Sequence, residues 1–312
     1  MIIGHELSAF SELGWLVSNH LIRKAAYESV QDAIDSHQDI TIWASERVVD
    51  IKTNHEHGCV TLESGKKIYA QLIVAADSRF SSTRRAIGIA ANMHDFGRNM
   101  LVCAMTHEKP HAHAAWEWFD YGQTLALLPM NPHPVTQEYQ SSVVITLPDQ
   151  EMAELMNLDD DAFARNAEER FAHRLGKMTL VSTKHSYPLV AVYPERLVAQ
   201  RFATVGDAAV GMHPVTAHGF NFGLLSIDYL SKEVLEAKKQ GMDIANKALL
   251  ERFEKRHRRA TRPLYMLTRL ITEIYTRQSP PLKFLRRAAL RIGQALPHFR
   301  KAIAASLTGS HR

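Results

Sequence analysis

Residues 201–224 read RFATVGDAAVGMHPVTAHGFNFGL, and no other stretch restricts the fold as tightly. An apolar, β-prone run ends at Val205, Gly206-Asp207 supplies turn chemistry, and Gly219-Phe220-Asn221-Phe222-Gly223-Leu224 opens a long helical pattern. Strand, tight turn and helix start are therefore expected in that order. An aspartate at a strand end accepts hydrogen bonds from ribose or ribityl hydroxyls, and a glycine-rich helix N-terminus offers N–H groups and a positive dipole end to an anionic ligand portion. The residues alone leave two readings open: a cradle for a nucleotide or cofactor, or a structural strand–turn–helix with Asp207 as its cap.

The rest of the pattern predicts an α/β chain of mixed α+β character. Within residues 11–35, Leu13, Leu16, Val17, Leu21, Ile22, Ala25, Ala26 and Val30 recur at three and four spacings, predicting a helix from near Val17. Residues 39–51, 58–63 and 67–76 are β-branched runs parted by Asn54, Gly58, Ser64 and Gly65, predicting three strands with a hairpin in the middle. The last ends in LIVAAD, apolar up to Asp77, which predicts a strand buried on both faces whose carboxyl end enters a ligand site. Runs at 99–106, 114–119, 124–130 and 141–147 predict an antiparallel sheet. Helices are expected over 149–155 and 160–174, the second capped by Asp160 or Asp161 with Phe163, Ala167, Phe171 and Leu175 on one face. Strands at 179–187 and 202–205 follow, so the pattern is an α/β domain interrupted by an antiparallel one.

Composition matters mainly for what it excludes. With 46% hydrophobic and 22% charged residues over 312 positions, the chain is neither disordered nor low-complexity. No run of 18 apolar residues is present to span a bilayer. Cys59 and Cys103 form no CxxC pair and no leader is evident at Met1, which predicts a reducing cytoplasm. Charge is unevenly spread: residues 245–312 hold 16 Lys or Arg against three acidic residues, a segment of +13 on a body of −9. Leu264, Leu267, Leu270, Ile271 and Ile274 recur there at helical spacing between Arg258, Arg262, Arg269 and Arg277, making an amphipathic basic helix. Packing on the acidic body and contact with a membrane surface or partner both remain open. No nucleic-acid reading motif accompanies the charge. The histidines at 55, 57, 107, 111, 113 and 133 fit no metal-ligand spacing and are expected to be solvated loop residues. Trp116 and Trp118 share one sheet face, either for packing or toward a substrate.

RFATVGDAAVGMHPVTAHGFNFGL resembles the second FAD motif of the flavin-dependent aromatic monooxygenases, the para-hydroxybenzoate hydroxylase-like family, and in particular its ubiquinone-biosynthesis hydroxylase branch. LGWLVSNHLIRKA resembles the family's helix beside the flavin, LIVAADSRFSSTRRAIGI its central Asp-Gly motif, WEWFDYGQTLALLPM its substrate-domain strands and SPPLKFLRRAALRIGQALP that branch's C-terminus. The sequence departs from the family pattern at Ser78, where glycine is usual, at Val210, where histidine is usual, and at Ala217-His218, where Gly-Gln is usual. No GxGxxG occurs, so the initial βαβ unit that opens family members is expected to be missing.

The resemblance implies a truncated Rossmann-like FAD-binding domain at 1–97 and 193–244, an antiparallel-sheet substrate domain at 98–192 and a basic helical tail at 245–312. It implies that Asp207, after Gly206, binds the ribityl chain of FAD, while Pro214, Gly219, Phe220 and Asn221 lie against the isoalloxazine ring and its pyrimidine edge. Asn19 and Arg23 match the helix that contacts the dinucleotide, and Asp77 with Arg84 match the motif linking FAD and NAD(P)H binding. The implied reaction is NAD(P)H reduction of FAD, capture of O2 as a flavin C4a-hydroperoxide, and hydroxylation of a polyprenylated phenol or quinol in ubiquinone synthesis. No catalytic base is identified; His213 and His218 are candidates, with structural roles equally open. The implied location is the cytoplasm or the inner face of its membrane, reached through residues 245–312. The alternative is a flavin-free remnant that binds lipid or a partner in a quinone-synthesis assembly.

Overall fold

The computed structural model of the chain describes residues 2–7, 10–36, 39–120, 123–214 and 218–276. After a 3-10 turn at His5–Leu7 come α1 (Asn19–Asp35), β1 (Val48–Thr53), β2 (Gly58–Leu62), β3 (Lys67–Ala70), β4 (Ile73–Ala75), α2 (Ser82–Ala86) and β5 (Ala91–His107). Then follow β6 (Trp116–Asp120), β7 (Gln123–Pro129), β8 (Tyr139–Leu147), α3 (Asp149–Met156), α4 (Asp160–Arg170), β9 (Met178–Leu180) and β10 (His185–Pro194). The chain continues through β11 (Val198–Ala199), β12 (Phe202–Thr204), a 3-10 turn at Gly206–Ala208, α5 (Gly219–Lys239) and α6 (Lys247–Thr276). This is the expected mixed α/β architecture with an antiparallel sheet. One compact unit holds the described residues of Met1–Thr41, Gly97–Leu189 and Ile274–Arg312, and the other holds those of Ile42–Phe96 and Val190–Glu273.

The first unit is built on a sheet of order β10-β5-β8-β7-β6, with β9 also on β5. Alternate residues of its strands, among them Leu101, Met105, Val143, Ile145 and Leu127, are at most 2% exposed and face one way. Met152 and Leu155 of α3, and Phe163, Ala167, Phe171 and Leu175 along and just beyond α4, pack into the same cluster, so the predicted helical face is the buried one. The helix cap is Asp159, whose side chain accepts from the Ala162 N–H at 2.7 Å, rather than Asp160 or Asp161, which lie inside the first turn. Left-handed Ala172 and His173 end this helix at Arg170, short of the expected 174. Trp116 and Trp118 pack against this cluster, with Phe171 beside Trp118 and the Arg174 guanidinium 4.1 Å above the Trp116 ring. Their shared face is therefore a packing face. His107 and His111 are buried rather than solvated: β5 carries His107 inward, where its ring nitrogens bond Ser141 Oγ at 2.9 Å and the Lys109 carbonyl at 2.8 Å.

In the second unit β1, β2 and β3 form an antiparallel meander, and β11, β12 and β4 a second small sheet. The strand expected at 39–51 begins only at Val48, because left-handed Ser45 turns the chain ahead of it. The single run expected at 67–76 divides in two. Lys67–Ala70 pairs antiparallel with β2, whereas Ile73–Ala75 pairs parallel with Phe202–Thr204. Ile73 and Ala75 join Ile51, Ile89 and Phe202 in a buried cluster, but Val74 between them is 46% exposed. The expectation of burial on both faces thus fails at Val74. An apolar run permits burial on both faces, yet which face is covered depends on what packs there.

α5 and α6 close the other side of this unit, with Leu230, Ala237, Leu249, Leu250 and Phe253 packed against Leu197, Val205 and Ala209. Along α6, Phe253, His257, Thr261, Tyr265 and Thr268 recur every three or four residues and are all buried, so this stripe is the packing face; of the apolar residues expected to share one face, Leu264 is half-buried but Leu267 is 50% exposed. The predicted helix beyond Thr276 lies outside the described residues.

Arg201 ties the unit together. Its guanidinium donates to both carboxylate oxygens of Asp243 (3.1 and 2.8 Å), to the His55 carbonyl and to the Gln71 carbonyl. The hydrogen bonds from Arg201 hold the Asp243 carboxyl below the usual carboxylate range. Arg201→Ala strands these acceptors, so an equilibrium urea titration should show a loss of about 2–4 kcal/mol. Because Asp243 titrates lower when folded than unfolded, its share of stability is complete above about pH 4 and disappears as the pH falls further, a loss absent from the variant.

Candidate functional site

The parallel register of β4 on β12, Ile73 beside Phe202 through Ala75 beside Thr204, delivers two chain segments side by side at their carboxyl ends. One continues into Asp77-Ser78-Arg79, the other into Val205-Gly206-Asp207. Arg79 joins them: its Nη2 and Nε donate to Asp207 Oδ2 at 3.0 and 3.3 Å, and its Nη1 donates to the Val190 carbonyl at 3.2 Å. Gly206 adopts φ +62°, a conformation that favours glycine, and its N–H donates to Ser226 Oγ at 2.9 Å. Ser226, wholly buried on α5, donates its own hydroxyl hydrogen bond to the Gly223 carbonyl, so the turn is pinned to the first turns of the helix. Gly211 lies against Arg79: a Cβ there would sit 2.7 Å from the Arg79 Cβ.

Asp77 is engaged by the start of α2. Its carboxylate accepts from Ser81 Oγ at 2.5 Å, from the Thr83 N–H at 3.1 Å and from Ser82 Oγ at 3.4 Å. Burial alone would raise its pKa, but these hydrogen bonds outweigh that and lower it. Ser78 has φ +109°, so the position where glycine is usual does adopt a glycine-favouring backbone while carrying a side chain. Arg84 is 2% exposed; its Nη1 donates to the Arg79 carbonyl at 3.2 Å, and its Nε has no hydrogen-bond partner among the described residues.

The two candidate histidines stand close to this turn in sequence but differ in setting. Burial, reinforced by the Arg79 charge, pushes the His213 imidazole down to about 4, so it is neutral at pH 7 and a weak base. Its ring meets Phe96 edge-on at 4.7 Å. His218 is buried at the N-cap of α5, where its carbonyl accepts the first intrahelical bond, from the Phe222 N–H at 2.9 Å. The N–H groups of Gly219, Phe220 and Asn221 precede that bond, while Phe220, Asn221 and Pro214 have exposed side chains. Ala217 lies outside the described residues. Asn19 and Arg23 sit on α1 in the other compact unit, and no residue of α1 is buried. Sequence reasoning missed Arg79 and Ser226; Arg79 lies inside LIVAADSRFSSTRRAIGI, but nothing in the sequence pairs it with Asp207.

Residues 36–266 match the FAD binding domain family. The chain belongs to that family. It is 43% identical over 297 residues to the ubiquinone hydroxylase UbiM of Neisseria meningitidis, covering 95% of this chain and 62% of that protein. Similarity extends to the ubiquinone hydroxylase UbiL of Rhodospirillum rubrum, at 29% identity over 91% of this chain and 64% of that protein. The chain thus spans less than two thirds of the length of these relatives. The fold is shared with Klebsiella pneumoniae HpxO, solved with FAD and uric acid, at a TM-score of 0.66 and 18% identity over 90% of this chain and 71% of that one. As a member of the FAD binding domain family the chain takes FAD as its cofactor, and the comparisons do not favour the flavin-free alternative.

The site's donor set fits such a group. Asp207 keeps Oδ1 clear of Arg79, which bonds Oδ2 alone, and so retains an acceptor for a sugar-alcohol hydroxyl. A helix start lies next along the chain, where backbone N–H groups suit the electron-rich edge of a flavin.

Two measurements check this geometry. Ser78→Gly removes a side chain from a left-handed backbone position and should raise stability by about 0.5–1 kcal/mol in urea titration. His257, fully buried beneath α5, is pushed down to about 4 by burial, so the unfolded chain binds a proton where the folded one does not. Stability should therefore fall as pH drops from about 6.5 to about 4, and the drop in melting temperature should be smaller for His257→Leu.

Proposed function

We propose that the chain is the greater part of an FAD-dependent monooxygenase that hydroxylates a polyprenylated aromatic ring in ubiquinone biosynthesis, with NAD(P)H as reductant. The observation that carries this reading is the Gly206-Asp207 turn, set by parallel strand pairing at the foot of α5 with one carboxylate oxygen held by Arg79. The UbiM and UbiL relatives, both ubiquinone hydroxylases, support the substrate class. So does the 3-demethoxyubiquinol 3-hydroxylase of Escherichia coli, 23% identical over 89% of this chain.

In this reading residues 1–97 and 193–244 bind the flavin, and residues 98–192 form the substrate domain. Asp207, following Gly206, accepts from the ribityl chain. Pro214, Gly219, Phe220 and Asn221 lie against the ring system, with the α5 N-terminus stabilising negative charge at its pyrimidine edge. Asn19 and Arg23 contact the dinucleotide. Asp77 orders the α2 start and thereby the Arg79–Arg84 segment next to Asp207. His213, neutral at pH 7, contributes shape and hydrogen bonding rather than a charge, and His218 fixes the entry to α5. Reduced by NAD(P)H, bound FAD supplies the oxygen-activating chemistry, while the protein orients the ring and keeps water away. A polyprenylated ring resides in a bilayer, so residues 245–312 are assigned to bringing the protein to the membrane face.

The test is the visible absorption spectrum of the full-length protein after incubation with FAD and desalting. The parent should retain an oxidised-flavin spectrum, and Asp207→Ala should weaken flavin retention at least tenfold, on the order of 1.4 kcal/mol or more. Full retention by the variant would remove Asp207 from the cofactor site, and no retention by the parent would overturn the reading.

A further inference from the structure

α6 carries two kinds of cation. Arg252 pairs with Glu233 at 2.9 Å, Arg258 pairs with Glu254 at 2.7 Å and donates to the Pro194 carbonyl, and Arg256 lies 4.1 Å from the Tyr229 ring. These are spent on packing the helix to its own unit. Lys255, Arg259 and Arg262 are exposed, and no ion pair among the described residues reaches them. They follow one another at spacings of four and three. The next residue of the row, four further on, is Met266, 53% exposed, and Leu267 beside it is 50% exposed. The buried stripe through Phe253, His257, Thr261 and Tyr265 runs along the opposite side. The outer face therefore presents Lys255, Arg259 and Arg262 leading into exposed Met266, with exposed Leu267 about 100° further round the helix at its flank and Glu251, paired with Lys247, one turn before Lys255.

We infer that the Lys255–Arg259–Arg262–Met266 face of α6 docks on an anionic lipid surface, with the cations at the headgroups and Met266 and Leu267 entering the acyl boundary. The order of residues favours lipid over other polyanions. A nucleic acid satisfies the three cations but offers the methionine and leucine no apolar medium, whereas a bilayer interface offers both, and the bilayer-resident substrate of the proposed reaction favours that interface over an acidic protein. The helix lies along the surface, since its buried side is already committed to α5 and β10. The inference extends the proposed reaction, because its substrate is a bilayer resident, but its test needs neither flavin nor turnover.

The experiment is co-sedimentation of the full-length protein with vesicles of phosphatidylcholine containing about a quarter phosphatidylglycerol, against pure phosphatidylcholine. Binding should require the anionic lipid and fall as salt is raised from about 0.1 to about 1 M. Neutralising a cation near such a surface weakens partition roughly fivefold, so Lys255→Gln/Arg259→Gln/Arg262→Gln should lose about 100-fold. Met266→Ser/Leu267→Ser should weaken binding to the same vesicles by about tenfold or more while leaving the salt dependence in place. Circular dichroism and the melting temperature of each variant, unchanged from the parent, show that the helix still packs. Parent-like binding by the triple variant overturns the assignment, as does an apolar double variant that binds like the parent. Tighter retention of the parent on duplex DNA than on the vesicles at equal salt overturns it in favour of nucleic acid. Vesicle binding that fails while FAD is retained rejects the docking face alone, and lost FAD with retained vesicle binding rejects the flavin reading alone.

Discussion

Three residue pairs of parallel strand, Ile73–Ala75 against Phe202–Thr204, set the position of the Asp77 and Asp207 segments at the candidate site. Parallel pairing points both carboxyl ends the same way, so the Asp77 and Asp207 segments emerge together although 130 residues separate them in the chain. The Arg79–Asp207 ion pair then locks the two exits, and Ser226 fastens the second of them to α5. Both partners of the ion pair are about one-third exposed, so the pair contributes orientation more than stability. The small sheet is thus the scaffold, and the polar contacts above it fix direction.

Much of this was written in the sequence wherever a local signal carried its own physics. The strand–turn–helix of residues 202–224 was legible because β-prone residues, Gly206 and a glycine-rich helix start occur within one short window. The Phe163, Ala167, Phe171 and Leu175 face was legible because helical periodicity is a local property. What escaped depended on partners distant in sequence. LIVAAD announced an apolar strand but could not say that Val74 would face outward, since that is decided by covering layers. The break between β3 and β4 at Gln71-Leu72 changes the sheet to which the chain belongs, and no residue there signals it. Asp159 displaced Asp160 as the cap because three adjacent aspartates offer equal chemistry, and only the chain direction selects among them.

The sequence marked Asp77 and Asp207 but neither Arg79 nor Ser226, and it carried nothing of the wiring between them. Asp77 and Asp207 both stand at strand ends in the sequence, yet their environments differ. One is filled by hydroxyl and N–H donors of α2, and the other meets a guanidinium and keeps an oxygen available. Likewise the basic tail admitted two readings because charge and periodicity together do not identify which face is covered. α6 answers by dividing its residues: the inner stripe packs, while the outer row of cations remains exposed.

The contact between Gly211 and the Arg79 side chain has an evolutionary corollary. A methyl group at 211 would occupy the space of the Arg79 Cβ, and every residue other than glycine has a Cβ of its own. Position 211 therefore stays closed to substitution unless the backbone around residue 79 shifts, which would drag the guanidinium off Asp207. Sequence drift in this lineage should then treat 79, 207 and 211 as one inherited unit, with the glycine as its least conspicuous and least replaceable member.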